Sequence, residues 1–163
     1  MIEAVVFDLD GTLVRLPIDY DGLFAEVREI MHVTDVRPLV DTVSRADGIT
    51  RELVFAAWEK AELAVEKAVS ANEAGMKIYT AHVDKRKALV TLQGKTIVEV
   101  IMKQFSLSFD VVVTREDVLF RVDQLAKAVG KLNVPISNVL FVGNTDGDAA
   151  AAEKVGCTFL RVK

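Results

Sequence analysis

The sequence predicts an α/β protein with a mostly parallel sheet of about five strands and helices on both faces. Three observations favour this fold class. Five apolar runs of strand length alternate with segments that have helical spacing. The first run stops abruptly at two acidic residues and a glycine, and the long stretch before the second run contains only helical patterns. The five runs are 4–7, 88–91, 109–113, 139–142 and 158–162.

Composition restricts the classes of protein to which the chain can belong. Its 163 residues, 51% of them hydrophobic and 27% charged, are enough for one domain, or for a compact core with a small insert. A net charge of −4 argues against nucleic acid or an acidic membrane as a partner. The single cysteine, Cys157, and the lack of a long apolar stretch predict a soluble cytoplasmic protein. Its oligomeric state, monomer or homodimer, is left open.

The first strand leads directly into a pair of carboxylates. Asp8 and Asp10 are one residue apart, so both can point into the crevice at the carboxyl end of a parallel sheet. Gly11 then lets the backbone turn away. Two carboxylates this close repel each other unless a divalent cation lies between them or one carries a proton. A solvated acidic turn is the alternative, but the apolar strand before the pair and Gly-Thr-Leu after it favour a functional site.

Residues 8–14, Asp-Leu-Asp-Gly-Thr-Leu-Val, resemble the first motif of the haloacid dehalogenase superfamily, which consists mostly of phosphatases. Within that superfamily the chain is similar to the phosphoglycolate phosphatase branch. The resemblance implies a Rossmann-like core in which Asp8 attacks phosphorus to form an aspartyl phosphate. It also implies that Asp10 is the general acid and base and that Mg²⁺ lies between the two aspartates and the phosphate.

Helical patterns fill the stretch after the first strand. Asp21 is expected to cap a first helix, and a shorter helix is expected after Pro38. A longer helix is predicted to begin near Thr50 and to stop at Gly75.

The superfamily commonly inserts a helical cap at this point in the chain. By resemblance, residues 15–76 are predicted to form the cap, and residues 1–14 and 77–163 the α/β core. A helical hairpin packed on the sheet without a lid role is the alternative. The inner surface of the cap and residues 15–20 would determine the substrate, which the sequence does not identify.

The second strand ends in a hydroxyl side chain. Thr91 matches the second motif of the family, whose hydroxyl and neighbouring N–H groups hold phosphate, and Thr80 is a competing candidate. The resemblance then places Gln93, Gly94 and Lys95 in the substrate-binding loop. Gly94 and Thr96 suit a tight turn and a helix N-cap, where anions bind well.

The third motif of the family is altered in this chain. Its lysine pairs with the nucleophile and with the phosphate charge, but no Lys-Pro follows the third strand. Counting forward from residue 118 places the position at Arg121, and counting back from the next helix places it at Leu119. Arg121 is the better candidate because it keeps the charge, although a forked guanidinium does not replace a compact ammonium group equivalently. An ordinary exposed arginine is the alternative.

The fourth motif is altered as well. Asp148 matches its second acid, but Asn144 occupies the position where the family usually has a carboxylate for Mg²⁺. An asparagine still offers a carbonyl oxygen, with one negative charge fewer. Asp146 is an additional acid that could compensate. The predicted metal ligands are therefore Asp8, Asp10, Asn144 and Asp148.

Two functions follow from the resemblance. The first is a Mg²⁺-dependent phosphatase that hydrolyses a small phosphorylated metabolite, a phosphomonoester, with Asp8, Asp10 and Arg121 as its catalytic residues. The second is a weakly active or inactive relative that binds a phosphorylated ligand or a partner protein. Asn144 and the missing lysine motivate this second hypothesis, since losing one contact to the transferring group can lower the rate by about 10²–10³.

Overall fold

A computed structural model describes all 163 residues and confirms the predicted fold class. Five parallel strands form one sheet with the order β5-β4-β1-β6-β7. The first strand is central, so its carboxyl end lies between those of β4 and β6. The five strands are β1 Ala4–Phe7, β4 Arg86–Val90, β5 Val111–Val113, β6 Val139–Gly143 and β7 Thr158–Arg161.

Helices cover both faces of this sheet. One face packs against α4 and α5 through a buried cluster that includes Phe7, Leu89 and Ile97. The other packs against α6 and α7 through a cluster that includes Val6 and Leu125. The helices are α1 Tyr20–Met31, α2 Leu39–Ser44, α3 Gly48–Leu63, α4 Glu73–Ala81, α5 Lys95–Gln104, α6 Arg121–Leu132 and α7 Asp146–Val155, and short 3₁₀ turns span Glu66–Ala68 and Ile136–Asn138.

The first three helices form a segment of their own beyond the carboxyl ends of the strands. A third buried cluster, which includes Leu23, Val43 and Trp58, joins them to one another. The chain enters and leaves this helical segment through two short antiparallel strands, β2 Val14–Arg15 and β3 Ser70–Ala71.

A buried ion pair fixes the helical segment to the loops of the sheet. The Arg115 guanidinium, from the turn after β5, donates two hydrogen bonds of 2.6 and 2.8 Å to the Glu62 carboxylate of α3. The side chains are 1% and 0% exposed. Arg115 also lies over the Trp58 ring at 4.6 Å and donates to the Leu92 carbonyl. Since a charge buried without its partner is costly, this pair constrains how α3 sits on the sheet.

The predicted long helix is wrong in its second half. Helix α3 ends at Leu63, and the chain then forms β3 and a separate helix, α4, that contains Gly75. The apolar spacing in the sequence continues past Leu63, but contacts with the loop after β1 end the helix. The Asn72 N–H donates to the Leu13 carbonyl, and the Asn72 side chain donates to the Gly11 carbonyl. Gly75 therefore does not stop a helix. It lets α4 approach the loop after β1, because a Cβ there would lie 1.7 Å from the Thr12 carbonyl oxygen.

Other expected details also differ. The N-cap of α1 is Asp19, which accepts a hydrogen bond from the Gly22 N–H, and Asp21 lies in the first turn. The predicted boundary at residue 76 falls inside α4, whose Tyr79 ring lies 5.7 Å from the ring of Phe7 on the sheet. Thr80 is helical and does not end a strand.

None of the seven α-helices combines the length and the apolar character needed to cross a membrane.

The close approach at Gly75 gives a testable prediction. Gly75→Ala should lower the free energy of unfolding by about 1–3 kcal/mol, because the added methyl group collides with backbone. The matched control is Gly130→Ala in α6, where a Cβ meets nothing within 4 Å. That change should raise the free energy of unfolding by about 0.5–1 kcal/mol. Urea denaturation of both variants checks this, and a Gly75→Ala protein as stable as the wild type would contradict the proposed contact.

Candidate active site

Three neighbouring strands bring the predicted site residues to one place. Asp8 follows β1, Thr91 follows β4, and Asn144 follows β6. Asp8 and Thr91 continue the hydrogen bonding of the sheet. The Asp8 N–H donates to the Val142 carbonyl, and the Thr91 N–H donates to the Val113 carbonyl. Between these strand ends and the helical segment lies a cavity of about 420 Å³. Its lining comprises Asp8, Asp10, Tyr20, Phe24, Pro38, Leu39, Val40, Trp58, Thr91, Leu92, Gln93, Arg121, Asn144, Thr145 and Asp148.

Asp8 is the most centrally placed of the acidic residues. It is 5% exposed, and each of its carboxylate oxygens accepts a hydrogen bond. Arg121 Nη2 donates to Oδ1 at 2.8 Å, and the Thr12 hydroxyl donates to Oδ2 at 3.2 Å. Burial raises the pKa of Asp8 to about 6, with Asp148 adding to the rise and Arg121 opposing it. The group is therefore mostly ionised at neutral pH and protonated in mild acid.

Arg121 lies in the site, at the first residue of α6. Its Nε forms an ion pair with Asp148 Oδ1 at 2.9 Å, and its Nη1 donates to Gln124 Oε1 at 2.9 Å. Gln124 in turn donates to the Thr91 and Val118 carbonyls. A guanidinium has five N–H donors, so Arg121 keeps some for a further acceptor after bonding to these groups and to Asp8. Of the two counts that the sequence allowed, the forward one gives the residue that contacts Asp8.

Asp10 lies at the edge of the same cavity. Its Oδ1 accepts a hydrogen bond of 2.9 Å from the Leu16 N–H, and burial raises the pKa of its carboxyl group. The Tyr20 phenol lies nearby, and burial raises its pKa too, with the charge of Asp10 acting in the same direction. Both groups therefore hold a proton more readily than they would in water.

Asp148 is buried and fully engaged within the protein. Its Oδ2 accepts from the N–H groups of Asn144 and Thr145, and its Oδ1 forms an ion pair with Arg121. The Thr145 hydroxyl accepts from the Asp148 N–H, which completes a capping box at the start of α7. The structure therefore places Asp148 as a support for the turn and for Arg121. It does not leave it free as a metal ligand, which differs from the prediction.

Asn144 lies close to the first motif. Its Oδ1 lies 3.3 Å from the Thr12 hydroxyl oxygen, so Asn144 and Asp8 are alternative acceptors for the single Thr12 hydroxyl proton. Its amide nitrogen lies 2.2 Å from where a Cβ of Gly11 would be, and Gly11 has φ +81°. A glycine is required at this turn for both reasons. The extra acid, Asp146, points away, since it is 98% exposed and pairs with Arg161.

The loop after β4 has fewer free hydrogen-bond donors for a phosphate than the sequence predicted. The Thr91 hydroxyl accepts from the Gln93 N–H and donates to no protein group, and the Leu92 N–H is also unused. The N–H groups of Gly94 and Lys95 already donate to Glu62 and Glu116. Neither of these two residues lines the cavity.

The start of α5 is consequently an anion site that the protein fills itself. Gly94 is the N-cap, so the predicted cap at Thr96 is wrong. Two carboxylates from elsewhere in the chain, Glu62 and Glu116, satisfy the first N–H groups of the helix. This leaves Thr91, Leu92 and Gln93 as the part of the loop that faces the cavity.

The donor set suits Mg²⁺, which proteins bind through one or two carboxylates together with substrate phosphate and water. Asp8, Asp10 and Asn144 line the cavity and offer carboxylate or amide oxygens. No group of three or more His, Cys, Asp or Glu residues converges on one point. The residues therefore fit a metal that shares its coordination with the substrate, and they do not form a complete protein cage.

Several residues of the site were not predicted from the sequence. Tyr20, Phe24 and Trp58 of the helical segment line the cavity, as do Leu92 and Thr145. Trp58 shared the apolar face of a predicted helix, which identifies it as buried but not as part of a cavity wall. Tyr20 lies at the end of the 15–20 stretch that was expected to influence the substrate, but the pattern did not show its direction.

Comparison with known proteins identifies relatives of this fold. A family model described as haloacid dehalogenase-like hydrolase matches residues 25–162. Comparison with curated proteins gives no match. Among solved structures, the chain is similar to a predicted phosphatase from Clostridium acetobutylicum, with 17% identity, a TM-score of 0.71 and coverage of 100% of this chain and 85% of that one. It is similar to CbbY from Rhodobacter sphaeroides in complex with phosphate, with 18% identity, a TM-score of 0.67 and coverage of 98% and 85%.

A third similar structure has a different activity in its name. It is L-2-haloacid dehalogenase from Xanthobacter autotrophicus, with 21% identity, a TM-score of 0.65 and coverage of 99% of this chain and 78% of that one. Identities this low establish a shared fold. The choice between activities therefore depends on the residues of the site.

The charge balance around Asp8 gives a second prediction. Arg121→Gln removes the cation that lowers the pKa of Asp8, so this pKa should rise above its value of about 6. Carbon-13 NMR titration of the aspartate carboxyl signals measures the shift. The control is Arg161→Gln, which removes an exposed arginine paired with Asp146 and should leave the pKa of Asp8 unchanged. An unchanged Asp8 titration in Arg121→Gln would show that the pair does not exist in solution.

Proposed function

Because the chain belongs to the haloacid dehalogenase-like hydrolases, we propose that it is a phosphatase that acts on a small phosphomonoester through a covalent aspartyl phosphate. The observation that carries the proposal is the position of Asp8. Its carboxylate ends the central strand, faces the cavity, and lies between a cation and a second carboxyl group, Asp10. These are the groups that in-line phosphoryl transfer requires.

In the first step, a carboxylate oxygen of Asp8 attacks phosphorus while the bond from phosphorus to the leaving oxygen breaks. Asp10 gives its proton to that oxygen, so an alcohol leaves. Burial, which raises the pKa of Asp10, favours the protonated form that this role needs. In the second step, Asp10 takes a proton from water, the water oxygen attacks phosphorus, and inorganic phosphate and the free Asp8 carboxylate result.

Phosphate binding falls to groups with unused donors. The Thr91 hydroxyl and the Leu92 N–H face the cavity from the end of β4, and Arg121 has N–H groups to spare. Arg121 here replaces the usual lysine, and Asp148 holds it in position through Nε. We leave Gly94 and Lys95 out of the phosphate site because their N–H groups already have partners.

Mg²⁺ fits this proposal. The residues that would hold it are Asp8, Asp10 and Asn144, with Asp148 orienting the turn behind them. When bound, the ion would offset the negative charge of the phosphate oxygens.

We propose that the helical segment acts as the cap of the site. Its Tyr20, Phe24 and Trp58 form the wall opposite the catalytic aspartates, so it excludes water from the reacting groups. We also propose a cytoplasmic location and a small phosphorylated metabolite as substrate, which agree with a net charge of −4 and a single free cysteine.

One observation favours a second function. Asn144 removes a charge from the metal site, and Asp8 is already paired with Arg121 at 2.8 Å. A carboxylate that is already ion-paired is a weaker nucleophile, and Arg121 beside it can bind a phosphate group without reaction. The alternative is therefore a weakly active or inactive protein that binds phosphorylated ligands or a partner protein.

The primary test is hydrolysis of p-nitrophenyl phosphate and a panel of phosphomonoesters with Mg²⁺. Asp8→Asn should lower kcat by on the order of 10³-fold or more, because the covalent route is lost. The control is Asp146→Asn, an exposed acid two residues from Asn144 that should keep wild-type activity. Turnover that is independent of Mg²⁺, or equal in wild type and Asp8→Asn, would refute the proposed function.

Asn144→Asp separates the two functions. If the wild type is a phosphatase, the added carboxylate should lower the Mg²⁺ concentration for half-maximal activity by about tenfold, with a smaller change in kcat. If the protein has lost its activity, kcat should instead rise by on the order of 10² or more. Asn133→Asp makes the same charge change at an exposed helix end and serves as the control. No gain in kcat of an active enzyme would exclude the inactive alternative.

A further inference from the structure

The cavity has two chemically different sides. The side formed by the strand ends carries the aspartates, Arg121, Asn144 and Thr145. The opposite wall, from α1, α2 and α3, is entirely uncharged and mostly aromatic or aliphatic. It consists of Tyr20, Phe24, Pro38, Leu39, Val40 and Trp58. Since the phosphate must lie beside Asp8, the leaving group of a substrate faces this wall.

The cavity lining has no free cation for a second anionic group on the substrate, in addition to the phosphate. Its charged lining residues are three acids, Asp8, Asp10 and Asp148, and one base, Arg121. Arg121 already contacts two of those acids and would also serve the phosphate. A carboxylate on the leaving group would therefore lose its hydration beside three acids without gaining a partner.

Two arginines lie against residues of the uncharged wall, and neither lines the cavity. Arg37 lies over the Phe24 ring at 5.9 Å. Arg115 lies over the Trp58 ring with its side chain 1% exposed, and it donates hydrogen bonds to Glu62 and to the backbone carbonyls of Leu92 and Phe55. The wall therefore presents no charge to the cavity.

The polar groups next to the uncharged wall carry no charge either. The Tyr20 phenol belongs to the wall, and Gln93, in the loop after β4, contributes an amide to the cavity lining. Neither group supplies a positive charge that would compensate for burying a carboxylate.

From these observations we propose that the site selects phosphomonoesters with an uncharged leaving group and discriminates against esters that carry a carboxylate. The cavity of about 420 Å³ limits the leaving group to a small molecule. The proposal rests on the proposed phosphatase function and names the class of substrate for the same site.

The test compares two esters of the same length, 2-hydroxyethyl phosphate and phosphoglycolate, which differ in a hydroxymethyl group against a carboxylate. The wild type should show a kcat/KM at least about tenfold higher for the hydroxyethyl ester. Val40→Lys places a cation on the uncharged wall and should raise the relative kcat/KM for phosphoglycolate at least about tenfold. Val40→Met, of similar length and without charge, is the matched control and should keep the wild-type preference.

Binding gives the second measurement, independent of turnover. Titration calorimetry of Asp8→Asn protein with both esters should show tighter binding of the hydroxyethyl ester. If wild type hydrolyses neither ester nor any phosphomonoester of the panel but this binding preference holds, the phosphatase proposal fails and the selectivity stands. Equal kcat/KM values, or a preference for phosphoglycolate, would overturn the selectivity and leave the phosphatase proposal intact. Binding of neither ester would overturn the selectivity as well.

Discussion

The buried ion pair between Glu62 and Arg115 holds the two parts of this protein in one arrangement. It joins α3 to the turn after β5, and the same Glu62 carboxylate accepts the Gly94 N–H at the start of α5. Three segments distant in sequence therefore share one buried charge pair. A buried pair adds little net stability compared with apolar packing, but separating its partners is costly. The pair thus acts mainly on geometry: it sets the distance between the helical wall and the strand ends, and with it the cavity.

Arg121 has a comparable role inside the cavity. Three carboxylates line this small space, and a single guanidinium contacts two of them, Asp8 and Asp148. The branched guanidinium makes this possible, because Nε contacts one carboxylate and Nη2 the other. A lysine side chain has only one nitrogen. Arg121 therefore links Asp8 and Asp148 in one charged cluster.

Sequence patterns predicted the parts of the protein that depend on local or repetitive signals. The five strands, the position of Thr91 at a strand end, and the forward count to Arg121 all rest on short segments next to apolar runs. The break after Leu63 and the close approach at Gly75 depend on contacts with the loop after β1, which lies some sixty residues earlier in the chain. Similarly, Gly94 was predicted to bind an anion because it suits a tight turn before a helix, but the carboxylate of the distant Glu62 accepts its N–H. A local sequence pattern does not show which distant side chain will bind at a given position.

The two short strands β2 and β3 have a consequence for how such a protein can change. Val14 pairs with Ala71 and Arg15 with Ser70, so the chain leaves the sheet and returns to it at adjacent points. Whatever lies between these points does not alter the path of the chain through the sheet. Another bundle with closely spaced ends could be grafted there if it supplied a carboxylate to Arg115 in place of Glu62, and it would give the same aspartates a different wall. The paired strands β2 and β3 thus make the helical wall of the cavity an exchangeable module, while the strand ends stay in place.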